Sequence, residues 1–351
     1  MPKNIIAVAI SGGIDSLASL KKLNARKNVF AIHGQFLDNI NDQLTEKIIN
    51  SCKQIDVPLY IVDLRESFKK LVIESFAKDL HDGLTPNPCA KCNKLIKFGL
   101  LLDKAKELGA NLLATGHYAK IEKDKNNNIS LYSSKDTTKD QSYFLSLVPK
   151  TSLTHVLFPL ANETKKEIIK YINSKNILVP QQNESQDICF LENNFADSLL
   201  PQIWSQMRLK APNQGDIIFK DKKIGIHKGL WRHTEGQRKG LGIAHSEPLY
   251  VIKKDRINNS IYVGEKKDIY IHGVYTKEAN FLALKENWPQ KLFVRVRYRQ
   301  KAVAASVSIN DTSSLKITFN NHEFPTAPGQ IATIYDEFGQ VLAGAEITEI
   351  F

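Results

Sequence analysis

Ile5-Ile6-Ala7-Val8-Ala9-Ile10-Ser11-Gly12-Gly13-Ile14-Asp15-Ser16 decides the fold. An apolar run rich in β-branched residues is the pattern of a buried strand, and it stops at Ser11-Gly12-Gly13. Leu17, Leu20 and Leu23 then recur at helical spacing, so a helix begins just past the glycines. Strand, glycine turn and helix N-terminus together make an anion site. Backbone N–H groups converge there, no side chain bars the ligand, and the helix dipole favours negative charge. Ser11 and Ser16 add hydroxyl donors, and Asp15, a carboxylate among phosphates, makes sense as the partner of a metal ion. A Walker A motif is excluded, because no Gly-Lys dipeptide occurs in the chain.

Outward from that turn, strands and helices alternate. Val29-Phe30-Ala31-Ile32 reads as a second strand ending at His33-Gly34, 59–64 as a third and 111–116 as a fourth. Residues 41–55 and 68–80 are predicted helices, and Leu95, Phe98, Leu101, Leu102, Ala105 and Leu108 trace another, closed by Gly109. This alternation predicts a doubly wound parallel sheet with ligands at the carboxyl ends of its strands. Ser11, Gly34 and Gly116 all fall at such ends, which is the place for a nucleotide crevice.

The 351 residues are enough for two or three domains, and 42% hydrophobic content is that of a globular protein. A formal net charge of +11 points to a polyanionic partner. The apolar N-terminal run breaks after Ile10, too early for a signal peptide, and no stretch approaches a membrane span. Four cysteines do not make a disulfide framework in a chain of this size, so a cytoplasmic, reducing location is expected.

Three polar constellations interrupt the pattern. The first is Thr85-Pro86-Asn87-Pro88-Cys89-Ala90-Lys91-Cys92-Asn93-Lys94, whose prolines predict a stiff loop at a helix start. The helix dipole, with Lys91 and Lys94 nearby, favours thiolate at Cys89 and Cys92. An inert cysteine pair is the plain alternative, and structural zinc lacks a second ligand pair. The second is Gly116-His117-Tyr118 with Lys139-Asp140-Gln141-Ser142-Tyr143-Phe144, separated by a predicted hairpin with Asn126-Asn127-Asn128 at its tip. His117 follows a strand end, where a side chain faces the crevice. The third is Glu184-Ser185-Gln186-Asp187-Ile188-Cys189-Phe190, in which Cys189 also suits a core position.

Beyond about residue 200 the pattern turns to strands. Residues 202–209 close the edge of the first unit; 215–219 and 224–227 are predicted strands joined at Asp221-Lys222. Gly236-Gln237-Arg238-Lys239-Gly240-Leu241-Gly242 is a basic glycine loop suited to phosphate approach or simply to solvent. In 292–299, alternation puts Arg295, Arg297 and Arg299 on one strand face, about 6–7 Å apart, near the spacing of nucleic-acid phosphates. Runs at 303–309, 315–319, 331–335 and 341–347 complete a predicted small barrel.

Ser11-Gly12-Gly13-Ile14-Asp15-Ser16 resembles the signature of the PP-loop ATP pyrophosphatases. The ordered series 11–16, 85–98, 114–118, 139–145, 185–190, 236–242, Arg297-Tyr298-Arg299 and Pro328-Gly329-Gln330 is similar to the bacterial tRNA-specific 2-thiouridylases over essentially the whole chain. The resemblance implies three units: a PP-loop catalytic domain at 1–200, a small β-rich central domain at 201–266 and a C-terminal β-barrel at 267–351, the last two contacting tRNA. It implies ATP and Mg2+ at Ala9, Ile10, Ser11, Gly12, Gly13, Ile14, Asp15, Ser16, Gly34 and Gly116, with Asp15 on the metal. It implies tRNA contacts at Asn87, Pro88, Cys89, His117, Lys139, Asp140, Gln141, Arg297, Tyr298 and Gln330.

By the same resemblance the reaction replaces the C2 oxygen of a wobble uridine in Lys-, Glu- and Gln-type tRNAs by sulfur. Adenylation makes that oxygen a leaving group, Cys189 carries a persulfide supplied by a cysteine desulfurase or sulfur-relay protein, and Cys92 is its partner in a disulfide. Cys89 stands where some family members have aspartate, and three cysteines open the alternative of an iron–sulfur cluster. Cys52 has no role. The rival expectations are another PP-loop enzyme, thiolating a different base or using ammonia as a ligase, and a noncatalytic tRNA-binding protein.

Overall fold

The computed structural model describes residues 5–25, 28–37, 42–126, 128–181, 188–191, 198–310, 313–323 and 325–351. Glu184 to Asp187 of the third constellation and Asn127 at the hairpin tip lie outside the described residues. Strands β1 (Ile6–Ala9), β2 (Val29–Gln35), β3 (Leu59–Asp63) and β4 (Leu112–Ala114) run parallel in the order β3-β2-β1-β4. The hairpin β5 (Lys120–Lys123) and β6 (Ile129–Tyr132) then leaves the sheet, and β7 (Val156–Leu157) returns beside β4 as a fifth parallel strand. The doubly wound parallel sheet expected from the alternation is therefore present.

Period-two burial divides β1 between two cores, as strands covered on both faces require. Ala7 packs with Phe30, Phe68, Phe98 and Leu113 under the helical stretches 65–81 and 88–107. Ile6 and Val8 face the other way, against Leu17, Leu20, Ile48 and Ile168 of helices Ile14–Asn24, Asp42–Ile55 and Lys165–Ser174. Strand order reverses between β1 and β4, so the crevice at their carboxyl ends is the topological switch point. Helix Leu200–Gln206 closes the edge, with Trp204 Nε1 donating to Ala77 O at 2.8 Å.

The central sheet has the order β10-β11-β8-β9, from β8 (Gly215–Phe219), β9 (Lys222–His227), β10 (Tyr250–Asp255) and β11 (Ser260–Gly264). Six antiparallel strands then close into a barrel. They are β12 (Ile271–Phe281), β13 (Leu292–Arg295), β14 (Val303–Ile309), β15 (Leu315–Glu323), β16 (Ile331–Tyr335) and β17 (Gln340–Ile350), with β12 pairing β17. The hairpin of the first unit extends this sheet: Leu131 and Tyr132 of β6 pair Val341 and Gln340 of β17. The first unit and the barrel thus share a continuous β-ladder.

One expectation is corrected. Strand β13 stops at Arg295, so Arg295, Arg297 and Arg299 do not line one strand face. The Val296 carbonyl accepts from Thr326 Oγ1 at 2.8 Å, and the chain turns at once, with Gln300 N donating to Arg297 O at 3.1 Å.

Candidate active site

The turn after β1 is built as an anion cradle. Gly12 has φ +86°, a left-handed conformation that glycine adopts without the steric cost a side chain carries. Gly13 precedes helix Ile14–Asn24 without a side-chain cap, leaving the first-turn N–H groups to a ligand. Ser16 Oγ donates to Gly13 O at 2.8 Å and lies 3.4 Å from Ser11 Oγ, so both hydroxyls edge the same turn. From across the switch point, Gly116 approaches so closely that a Cβ there would sit 2.8 Å from Asp15 C and Ser16 N. Ile10 is joined to the end of β2 by its carbonyl, 2.7 Å from His33 Nδ1, which sets Gly34 beside the same crevice.

Asp15 is not free in this state. Lys165 Nζ lies 2.8 and 2.7 Å from its two carboxylate oxygens, and Tyr118 OH donates to Oδ1 at 2.8 Å. Lys165 was not legible as a site residue. Its local signal, Thr164 and Glu167 bracketing a helix start, announces a capping box but not a partner 150 residues upstream.

The thiols lie within electrostatic reach of one another. Pro88 opens helix Pro88–Cys92 and Asn87 caps it, accepting from Ala90 N at 3.1 Å, so Cys89 and Cys92 sit in the first turns of a helix rather than in a loop. Beyond Cys92 the backbone winds as π-helix over Asn93–Leu100, bringing Lys97 round to the cysteines. The Lys97 ammonium acts on Cys89, Cys92, Cys189 and the ring of His117 alike. Cys89 is half-buried, Cys92 buried and Cys189 exposed.

The expected thiolates are corrected by this geometry. Burial pushes the Cys92 thiol up to about 12, outweighing Lys97, and raises Cys89 as well. Lys91 does not serve them, being turned to Ser75 Oγ and to Asp79, 3.7 Å away. His117 hydrogen-bonds Thr115 Oγ1 at 2.7 Å and packs near Phe98 and Phe158. Enclosure and the Lys97 charge hold it well below the usual histidine range, so it is neutral.

Several residues expected to touch RNA are engaged within the protein. Asp140 accepts from Ser134 N, Ser142 N and Ser142 Oγ and pairs with Arg295 at 3.1 Å. Gln141 Oε1 accepts from Tyr118 N at 3.0 Å, which positions the tyrosine on Asp15. Arg297 Nη2 donates to Glu235 O at 2.7 Å, and Gln330 Nε2 to Thr85 O at 2.7 Å. Lys139 and Tyr298 are half-buried, the latter against Phe144 with ring centroids 4.4 Å apart.

Three family models match in series: a tRNA methyl transferase HUP domain at residues 4–193, a tRNA methyl transferase PRC-barrel domain at 207–265 and an aminomethyltransferase beta-barrel domain at 271–347. The tRNA-specific 2-thiouridylase MnmA of Lawsonia intracellularis is 43% identical over 98% of this chain and 99% of its own length. The chain belongs to the tRNA-specific 2-thiouridylase family. Equally named relatives from Nitratidesulfovibrio vulgaris (Miyazaki F), 43% identical over 97% of this chain and 98% of theirs, and Rickettsia typhi, 36% identical over 98% of each, agree.

For this member of the 2-thiouridylase family, the donor set decides which groups fit. Magnesium accepts one carboxylate with phosphate and water oxygens, and Asp15 offers one carboxylate at the phosphate cradle, so the ion fits once Lys165 gives way. Among the described residues no three His, Cys, Asp or Glu side chains converge as metal ligands. No described helix is long and apolar enough to cross a membrane.

Proposed function

We propose that this chain is an ATP-dependent tRNA-uridine 2-sulfurtransferase acting on the wobble uridine of Lys-, Glu- and Gln-type tRNAs in the cytoplasm. The observation that carries the reading is the common neighbour Lys97. It acts on all three thiols and on His117, which directly follows the glycine packed on the Asp15–Ser16 backbone. This supports the reading that phosphate cradle and sulfur chemistry share one crevice. The domain limits 1–200, 201–266 and 267–351 belong to the same proposal, with the barrel and central sheet presenting the tRNA.

ATP binds with its phosphates on residues 11–16, and the uridine O2 attacks the α-phosphorus, expelling pyrophosphate. Asp15 would hold a magnesium ion there, which would supply charge neutralisation at the phosphates. The C2–O bond now has AMP as its leaving group. Cys92 thiolate attacks the Sγ of a Cys189 persulfide, the terminal sulfur leaves as sulfide and adds at C2, and AMP departs. The two cysteines end as a disulfide, which an external thiol donor reduces before a cysteine desulfurase or relay protein reloads Cys189. Burial keeps Cys92 protonated at rest, which limits wasteful attack, and Lys97 is the charge that steadies the thiolate when it forms.

Purified protein, unmodified tRNA, ATP and a persulfide donor are expected to yield 2-thiouridine, AMP and pyrophosphate in equal amounts by nucleoside mass spectrometry and nucleotide chromatography. Pyrophosphate release that depends on ammonia instead would point to the ligase. Tight tRNA binding without ATP turnover would point to a noncatalytic RNA-binding protein.

A further inference from the structure

Lys165 is fixed at both ends before any ligand arrives. Thr164 caps helix Lys165–Ser174 in a reciprocal box with Glu167, and the Lys165 backbone N–H donates to Asp136 Oδ2 at 3.0 Å. Its side chain is only 11% exposed and ends on both oxygens of Asp15. That carboxylate lies in the first turn of the helix whose N-terminus forms the cradle, and Tyr118 also holds it. Nearby Lys22 is spoken for elsewhere, pairing Glu163 at 2.7 Å and lying over the Tyr171 ring.

A departing pyrophosphate carries several negative charges, and preorganised cations aimed at that charge contribute most to such steps. We propose that Lys165 is the pyrophosphate-binding cation of this site, parked on Asp15 until phosphates arrive. The inference rests on the nucleotide reading above and deepens it. As the α–β phosphoanhydride bond breaks, its electron pair passes to the pyrophosphate oxygen, and the Lys165 ammonium lies within reach to bind that oxygen. Asp15, released by Lys165, is then available to magnesium. One residue thus keeps the carboxylate neutralised in the empty site and the leaving group neutralised in the loaded one.

The test is equilibrium binding of inorganic pyrophosphate and of AMP to the full chain by titration calorimetry. Lys165→Gln can still hydrogen-bond Asp15, and Lys165→Arg keeps the charge. Lys165→Gln is expected to lose about 10- to 100-fold in pyrophosphate affinity, the scale of a charge-assisted hydrogen bond, while AMP affinity stays within about threefold. Lys165→Arg is expected to restore most of the loss. Pyrophosphate affinity unchanged in Lys165→Gln overturns the proposal. So does an equal loss of AMP and pyrophosphate, which marks a merely structural lysine. Wild-type protein binding neither ligand overturns the nucleotide reading itself.

Discussion

Lys254 reaches from the central sheet into the catalytic unit, its Nζ donating to the Thr85 hydroxyl across 3.1 Å. The same ammonium donates to His233 O at 3.0 Å and lies 3.6 Å from Glu235 Oε2, with both side chains under 5% exposed. From the barrel, Gln330 donates to Thr85 O and Arg297 to Glu235 O, while Thr85 N donates to Pro328 O at 2.8 Å. Thr85 stands two residues before the Asn87 cap of the thiol-bearing helix. All three parts of the chain therefore fix how the Cys89–Cys92 turn enters the crevice.

Breaking this junction is expected to be expensive. Burial drives the Lys254 ammonium down and the Glu235 carboxyl up, so each depends on the other for its charge. Lys254→Met leaves Glu235 buried without its cation and is expected to cost about 3–5 kcal/mol in urea unfolding. Adding Glu235→Leu is expected to recover most of it, because an apolar pair of similar volume needs no compensation. Wild-type stability in Lys254→Met would mean that the pair holds nothing together.

His233, beside this pair, gives the junction a pH dependence. Burial holds its imidazole down at about 4, against 6.5 unperturbed. The unfolded chain therefore binds the extra proton first, and stability is lost as pH falls from about 6.5 towards 4. His233→Asn is expected to flatten the stability slope across that window relative to wild type, measured as urea midpoints at several pH values. Parallel slopes in the two proteins would remove His233 as a contributor.

The catalytic fold was legible because β1, the glycine turn and the next helix follow one another within local sequence, with apolar periods intact. The barrel was legible in part. Strands β14 and β15 keep their alternation over 305–309 and 315–320, whereas β12 was missed because register shifts and Gly273 break its period. Lys165, Tyr118 and Lys97 were not legible as site residues, since their meaning comes from partners far along the chain or from a π-wound turn that moves Lys97 round to the cysteines. The arginine stripe failed for a related reason: alternation of residue types continues through Arg299, but the Val296 carbonyl is taken by Thr326 and the strand ends.

That correction separates two arginines. Arg297 is held by the Glu235 carbonyl, whereas Arg299 is exposed. Arg299→Gln is expected to weaken tRNA binding and to make its log–log salt dependence shallower by roughly one unit or less, with stability unchanged. Arg297→Gln is expected to lower the urea midpoint first. Filter binding at several salt concentrations checks both, and an unchanged slope in Arg299→Gln would leave that residue merely solvated.

At the phosphate end, Asp15→Ala is expected to reduce tRNA-dependent pyrophosphate release by more than about 100-fold, the scale of losing a metal-anchoring carboxylate. Affinity for tRNA is expected to remain within about twofold, because Asp15 faces Lys165 and Tyr118 on the nucleotide side. Turnover close to wild type would detach the glycine turn from ATP altogether.

The cysteines give the sharpest division. Cys52 lies 1% exposed in the core beside Ile48 and Ile55, and burial lifts its thiol to about 11, so Cys52→Ser is expected to cost stability and leave thiolation intact. Serine is a far weaker nucleophile at neutral pH and cannot carry sulfane sulfur, so Cys92→Ser and Cys189→Ser are each expected to abolish 2-thiouridine while adenylation of tRNA persists. Cys89→Ser is expected to cause at most partial loss, since Cys89 is only a minor contributor to what raises the Cys92 thiol and its removal leaves the Cys92–Cys189 pair in place. With Cys92 held as a thiol up to about 12, its reactive fraction grows about tenfold per pH unit below that value. Single-turnover thiolation from preloaded, adenylated complex is therefore expected to accelerate steadily from pH 7 to 9. Rapid-quench mass spectrometry of the nucleosides measures it; a flat profile would mean that Cys92 does not lose its proton in the limiting step, and full activity in both serine variants would sink the two-cysteine route.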